Sequence, residues 1–222
     1  MRIGTWNLEG RWSADHAAFM QRAACDVWLL SIVQDAFALA DGETARSEAM
    51  GDDVSWSAVW SAAGLEALEP THPAVACARV GELLVCSSVL PWRNAAPYSD
   101  DDGDSVAAIT RAAIAGVREA LAGEHEAIWG GGWNHGLFER ENVGTLMGRR
   151  GIMALVGELG LQTPTARLPN SIAGIFSTDH IAVPAGWEVE DARRLIAESG
   201  GRRLTDNDAY VVETELEVAA AT

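Results

Sequence analysis

At 222 residues and 48% hydrophobic, the chain is long enough to bury a sizeable core. Its net charge of −16 sets up a field that repels phosphate backbones, which disfavours nucleic acid as a ligand unless a local basic groove overrides it. No run of about 18 apolar residues and no basic start leading into an apolar stretch is present, so neither a membrane span nor a secretory signal is readable; one cytoplasmic domain over 1–222 is expected.

Residues 2–7, RIGTWN, alternate and stop at Asn7, which predicts a short strand ending on a polar group. Ser13 then precedes Ala17, Phe19, Met20, Ala23 and Ala24 at roughly helical spacing, so a capped helix follows. The apolar run DVWLLSIV, Asp26 to Val33, is too short for a typical buried helix and reads as a central strand covered on both faces. SWSAVWSA, AVACARV and ELLVCSSVL read as a meander of antiparallel strands that ends at Pro91.

The acidic stretch YSDDDGDS reads as a solvated loop, because the downstream glutamate of a calcium loop is missing. Ser105 caps a helix with Val106, Ile109, Ala113, Val117 and Leu121 on one face, closing at Gly123. In AIWGGGWNHGL, Ala127 to Leu137, an apolar strand runs into three glycines and then Trp133, Asn134 and His135, a polar cluster with room around it and no acid in it. A second helix turns Ile152, Leu155, Val156 and Leu159 inward and ends at Gly160. IAGIFSTDHIAVP is a strand entering a polar knot, and DAYVVETELEV is a terminal strand alternating from Tyr210 to Val218. Strands and helices alternating irregularly suit two packed sheets with helices outside them.

Cys25, Cys77 and Cys86 sit inside apolar segments rather than in a close pair, which predicts reduced core thiols instead of disulfides or zinc ligands. Nine tryptophans serve equally well as core filling or as walls of a small-molecule pocket, and Trp6, Trp12, Trp133 and Trp187 flank polar residues.

TWNLEG near the start, the apolar strand after the first helix, GGGWNH past the middle, TDHIAVP and LTDNDAYVV resemble, in this order and spacing, the endonuclease/exonuclease/phosphatase superfamily, the DNase I-like fold. The resemblance covers nearly the full chain. It implies an α/β fold, a four-layer α/β/β/α sandwich of two mixed, mainly antiparallel sheets packed face to face, with the site where loops of both sheets converge. It also implies phosphoester hydrolysis with a divalent metal, usually magnesium. In that scheme a glutamate ending the second strand holds the metal, and an Asp-x-Asn motif orients water and phosphate. A histidine in a terminal Ser-Asp-His, oriented by a second aspartate, balances charge on the transferring phosphate. Cations and donors must stand where that charge develops.

This chain departs from the pattern at each of those points. Ile32 stands where the glutamate is expected, Gly132 where the aspartate of Asp-x-Asn is expected, and Thr205-Asp206-Asn207 replaces Ser-Asp-His. A further family histidine aligns loosely with Val89. The matching remainder is Asn7, Asn134, Asp179 and Asp206, with His135 and His180 beside them. Asn7 and Asn134 either tie down strand ends or donate to a ligand. Asp179 and Asp206 are expected to lie close together, so that one keeps a proton near neutral pH, as an acid/base pair or as a hydrogen-bonded structural pair. His135 and His180 either pack loops or, facing the pocket, move protons.

The candidate catalytic residues are therefore Asp179, Asp206, His180 and His135. Asn7, Asn134, Trp6, Trp133, Ile32, Gly132 and Asn207 are the candidate substrate-binding residues, and no metal ligand or cofactor is expected. Asp208 is expected to begin the last strand. The pairs Arg149-Arg150, Arg193-Arg194 and Arg202-Arg203 are either solvated or an anion-recruiting rim. Three functions follow from these residues: a metal-free acid/base enzyme on a small organic molecule, a non-catalytic binding protein, and a residual phosphodiesterase.

Overall fold

The computed structural model describes residues 1–92, 105–124, 126–137 and 143–215. In chain order the elements are β1 (Arg2–Asn7), α1 (Ala14–Ala23), β2 (Val27–Gln34), β3 (Glu43–Arg46), β4 (Ala49–Gly51), β5 (Val54–Ser61), β6 (Glu66–Ala67), β7 (Val75–Val80) and β8 (Leu83–Ser88). They continue with α2 (Val106–Ala120), β9 (Ala127–Gly132), α3 (Leu146–Glu158), β10 (Leu161–Gln162), a 3-10 turn at Pro164–Arg167 and β11 (Asp179–Pro184). The last are β12 (Val189–Leu195), β13 (Glu198–Ser199), β14 (Arg202–Arg203) and β15 (Ala209–Thr214).

One sheet has the order β12-β15-β1-β2-β5-β3, with β4 also on β5; the second has the order β10-β11-β9-β8-β7-β6. β1 is parallel to β2 and β8 to β9, while the remaining pairs are antiparallel. The period-2 geometry of a strand decides which layer each side chain enters. In β2, Val27 and Leu29 face the second sheet, whereas Trp28 and Leu30 pack under α1 with Phe19 and Met20. In β9, Ile128 faces the first sheet while Trp129 packs beneath α2 and α3 with Val117, Ile152 and Leu155. Three apolar clusters thus fill three interfaces, and the chain is an α/β/β/α sandwich.

The strand segments are legible, but the meander is corrected. β7 and β8 form the expected hairpin, whereas β5 pairs with β2 and so belongs to the opposite sheet. Serines stitch the two sheets together at this end: Ser57 Oγ donates to Ala74 O and Ser87 O, and Ser87 Oγ donates to Leu30 O. The polar knot before TDHIAVP is irregular, with the strand beginning only at Asp179. Ser105 and Thr145 cap α2 and α3, accepting from the N–H groups of Ala108 and Gly148. The three cysteines are buried free thiols. Among the described residues no helix is long and apolar enough to cross a membrane. Residues 98–104 of the acidic loop, and 216–218 of the last strand's expected length, lie outside the described residues.

Candidate active site

The ends of β1, β2 and β9 meet the start of β11 and the loop at 205–207. Asn7 lies opposite Ser31 where β1 pairs with β2, and Gly132 lies opposite Asp179 where β9 pairs with β11. The sheets are joined here by Gly132 N–H, which donates to Ser31 Oγ at 2.8 Å.

The three glycines of β9 answer to close approach. A Cβ at Gly130 would stand 2.4 Å from Leu29 Cδ1 of the facing sheet, and one at Gly131, where φ is +114°, 2.4 Å from Ser88 O. At Gly132 a Cβ would meet Ser31 Oγ at 2.9 Å, with Asp179 Oδ1 at 3.5 Å. The expected empty space at Gly132 is therefore corrected: the Ser31 hydroxyl faces the position where the family's aspartate would branch.

Asp179 is 4% exposed. Its carboxylate accepts from Thr178 Oγ1 at 3.5 Å, and burial pushes its pKa up to about 7, with the Glu9 charge adding to the rise. The expected Asp179–Asp206 pair is corrected by these contacts. Asp206 is exposed, and its backbone N–H donates to Glu9 Oε1 at 3.0 Å. Glu9, not Asp206, is the carboxylate whose field reaches Asp179. Glu9 also receives Asn207 Nδ2 at 2.8 Å and Arg11 at 3.5 Å, and its own N–H donates to Asn7 Oδ1 at 3.0 Å.

His135 and His180 are corrected as pocket groups, since both are 0% exposed. Carbonyl acceptors fix their tautomers: His135 Nδ1 donates to Trp133 O at 2.7 Å, and His180 Nε2 donates to His135 O at 2.9 Å. Burial lowers both pKa values, that of His180 to about 4, so they are neutral packing groups. Trp6 and Trp133 are likewise fully buried. Trp6 Nε1 donates to Thr205 Oγ1, and Trp133 packs between Trp129 and His180. Trp12 and Trp187 are half-buried, Trp12 against Phe37. Asn134 spends its Nδ2 on Leu90 O and Gly132 O, tying the β9 end in place rather than presenting those hydrogens to a ligand.

Ile32 has φ +52°, a left-handed conformation that a β-branched residue rarely adopts. Its side chain is half-buried against Trp56, Ala74 and Val89. Ile32→Asn should exchange the loss of that packing for relief of roughly 1–2 kcal/mol of backbone strain. Thermal unfolding is therefore expected to shift by less than about 1 kcal/mol, against about 2–5 for truncating an ordinary core isoleucine.

Sequence reasoning passed over Glu9, although it stands inside the quoted TWNLEG two residues after the strand end. Asp208 was expected to begin the last strand, and β15 starts one residue later at Ala209, but its role as an ion-pair centre was not read: its side chain is fully buried, gripped by Arg194 at 2.5 Å, by Arg203, and by the Ala197 N–H. The alternating arginine pairs were its only signal.

The layer order and the position of this site define the chain as a DNase I-like protein in fold. No protein-family model and no curated protein matches it. Solved structures do. A 3′ phosphatase, NExo, from Neisseria bound to a product DNA hairpin is 14% identical with a TM-score of 0.73, over 97% of this chain and 100% of that one. An AP endonuclease from Archaeoglobus fulgidus is 13% identical with a TM-score of 0.75, over 97% and 100%. The endonuclease domain of TRAS1, a telomere-specific retrotransposon, is 14% identical with a TM-score of 0.60, over 95% and 96%.

The magnesium that this fold implies can be tested against the donors present. Among the described residues no three His, Cys, Asp or Glu side chains converge. Glu9 Oε1 is already held by two N–H donors, and an isoleucine branch replaces the carboxylate at position 32. Magnesium is usually bound through one or two carboxylates. Asp179, with a single long contact on its carboxylate, could serve as one, but no group of three such side chains forms among the described residues, so the set does not fit a protein-held ion.

Proposed function

We propose that this DNase I-like protein has left metal-dependent phosphoester hydrolysis and carries out metal-free acid/base chemistry on a small organic molecule in the cytoplasm. Asp179 is the proton-transferring group, with Asn7 and Asn207 holding the surrounding polar frame and Ile32 its apolar edge. Asp179 supports this reading most. Its buried carboxyl stands beside Gly132, has one long hydroxyl contact among the described residues, and is held up to about 7. A group with that pKa both accepts and returns a proton near neutral pH, where general acid/base catalysis is most effective. Isomerisation, cyclisation and dehydration are the reaction classes that need this and no redox partner. They suit a step in the biosynthesis of a specialised metabolite.

Two measurements test the reading together. A carboxyl carbon NMR titration should place Asp179 near neutral, and magnesium or manganese should yield no cleavage of DNA or of a generic phosphodiester. An Asp179 titrating in the ordinary carboxylate range, or metal-dependent turnover at rates normal for the fold, overturns it.

A second reading, a binding protein without catalysis, is favoured by α3. Leu146, Met147 and Met153 on α3 are 57%, 57% and 46% exposed, and Met147 lines a groove of about 470 Å³ between α2 and α3 together with Arg111 and Arg150. Apolar side chains exposed together commonly mark a partner surface. Under this reading Asp179→Asn leaves partner binding intact.

A further inference from the structure

We propose that the groove between α2 and α3 receives an acidic amphipathic helix of a partner protein, its apolar face against the groove and its carboxylates against Arg111 and Arg150. The proposal rests on the partner-surface reading of that groove and names the partner's chemistry; it does not depend on Asp179.

The two helices lie side by side and run in the same direction. Ile114 of α2 stands against Gly151 of α3, where a Cβ would come within 2.9 Å of Ile114 Cδ1, and further along both helices Arg118 Nε donates to Glu158 at 3.0 Å. The first contact closes the floor of the groove, and the second ties the C-terminal parts of the helices together. On α2 the lining positions Ala107, Arg111, Ala115 and Arg118 recur at helical spacing. On α3 Met147, Gly151 and Ala154 do the same. A groove lined in this way follows the helix axes for on the order of 15 Å, about three turns. Alanine and glycine at these positions leave room for a third helix to approach closely, which is the shape of helix-in-groove recognition. Met147, 57% exposed on its wall, is an unbranched side chain that adapts to the occupant.

Charge separates the possible occupants. The lining includes three arginines and no acidic residue, in a chain whose net charge is −16. Arg118 is paired with Glu158. Arg111 and Arg150 are exposed, and among the described residues neither has a hydrogen bond or an ion pair. A second copy of this chain docked through the same face would set these arginines against their own copies, because a two-fold interface is self-facing and like charges across it are unfavourable. An anionic membrane meets the repulsion of the whole chain's field. A helix with an apolar stripe flanked by glutamates covers the groove and supplies both arginines with carboxylates.

The test titrates the full chain into fluorescently labelled helical peptides of about 15 residues, which share one leucine stripe and carry Glu, Gln or Lys along its flanks. Anisotropy is expected to show the Glu peptide binding tightest and the Lys peptide weakest. Arg111→Gln and Arg150→Gln should each weaken the Glu peptide by about three- to fivefold and the Gln peptide by less than about twofold, the size of one exposed ion pair. Reversing both charges, with Arg111→Glu and Arg150→Glu together, should make the Lys peptide the tightest. Ala154→Trp, at an exposed lining position, fills the groove without changing its charge and should weaken all three peptides. Equal binding of the three peptides, or a Glu preference that survives the double reversal, overturns the acidic-helix inference and leaves the groove as a partner surface. Binding of no peptide, or binding indifferent to Ala154→Trp, defeats the partner surface as well. Sedimentation showing a dimer of this chain that Ala154→Trp dissociates assigns the groove to a second copy, and displacement of the Glu peptide by a lower concentration of decanoate assigns it to a fatty acid. Either result overturns the inference.

Discussion

Asp179→Asn is expected to remove a fall in stability that the wild-type protein shows as pH rises from about 4 to about 7. Burial holds the Asp179 pKa at about 7 in the folded chain, above the value of 3.8 for an unperturbed aspartate. Between those values the folded state keeps a proton that the unfolded state has released, so stability declines as pH rises. The contribution is fully present below the unfolded value and is lost through the folded one. Each tenfold difference in proton affinity between the two states is worth about 1.4 kcal/mol, so the whole fall amounts to roughly 4 kcal/mol as an upper figure. Asparagine, with the same shape and no charge, should lie level with the wild type near pH 4 and be more stable than it near pH 8. Urea midpoints across that range check this. Parallel curves for the two proteins would show that the Asp179 carboxyl is not held up.

Asp208→Asn is expected to produce the largest loss of stability of any single conservative change. The Asp208 side chain has 0% exposure and neutralises both Arg194 and Arg203, while also accepting the Ala197 N–H at 3.0 Å. Removing one partner of a buried pair leaves charge unpaired and costs about 3–5 kcal/mol. Arg194 and Arg203 retain 23% and 37% of their side-chain exposure, so water recovers part of this and roughly 2–4 kcal/mol remains. At this chain length that corresponds to a Tm lower by roughly 5–15 °C. Arg11→Gln, which breaks the 3.5 Å contact of an arginine 56% exposed, should cost less than about 1 kcal/mol. Asp208 also anchors the loop that carries Asp206 and Asn207, so its variant should loosen the clamp on Glu9 as well as the fold.

Much of the fold is legible because it rests on local periodicity. Alternation marked β1 and the apolar run marked β2; Ser105 with its 3.6-residue spacing marked α2. The sheet to which β5 belongs was not legible. SWSAVWSA is apolar enough to fit either sheet, and its pairing with Trp28 and Leu30 depends on the sandwich closing around it. β12, with VEDARRL half-buried at a sheet edge, has no apolar signal that a strand reading could use. The site shows the same division. The positions of Ile32, Gly132 and Asn207 followed from motif spacing, whereas the burial of Trp6, Trp133, His135 and His180 did not, because residue type does not say which way a side chain at a strand end points.

Strand and helix periods suggested two packed sheets with helices outside them, and the resemblance of the motifs, in order and spacing, to the DNase I-like superfamily implied the four-layer sandwich and the end of it where the site is expected. The identity of Asp179's neighbour came only with the closed structure. Asp206 is adjacent to Asn207 in sequence and is the residue the family pattern selects, yet its side chain faces solvent. Glu9, nearly two hundred positions away, is brought in by the turn after β1 and by two N–H donors from the 205–207 loop. Long-range electrostatics depends on where folded backbone aims a carboxylate and how much water it excludes, and neither is written in local sequence.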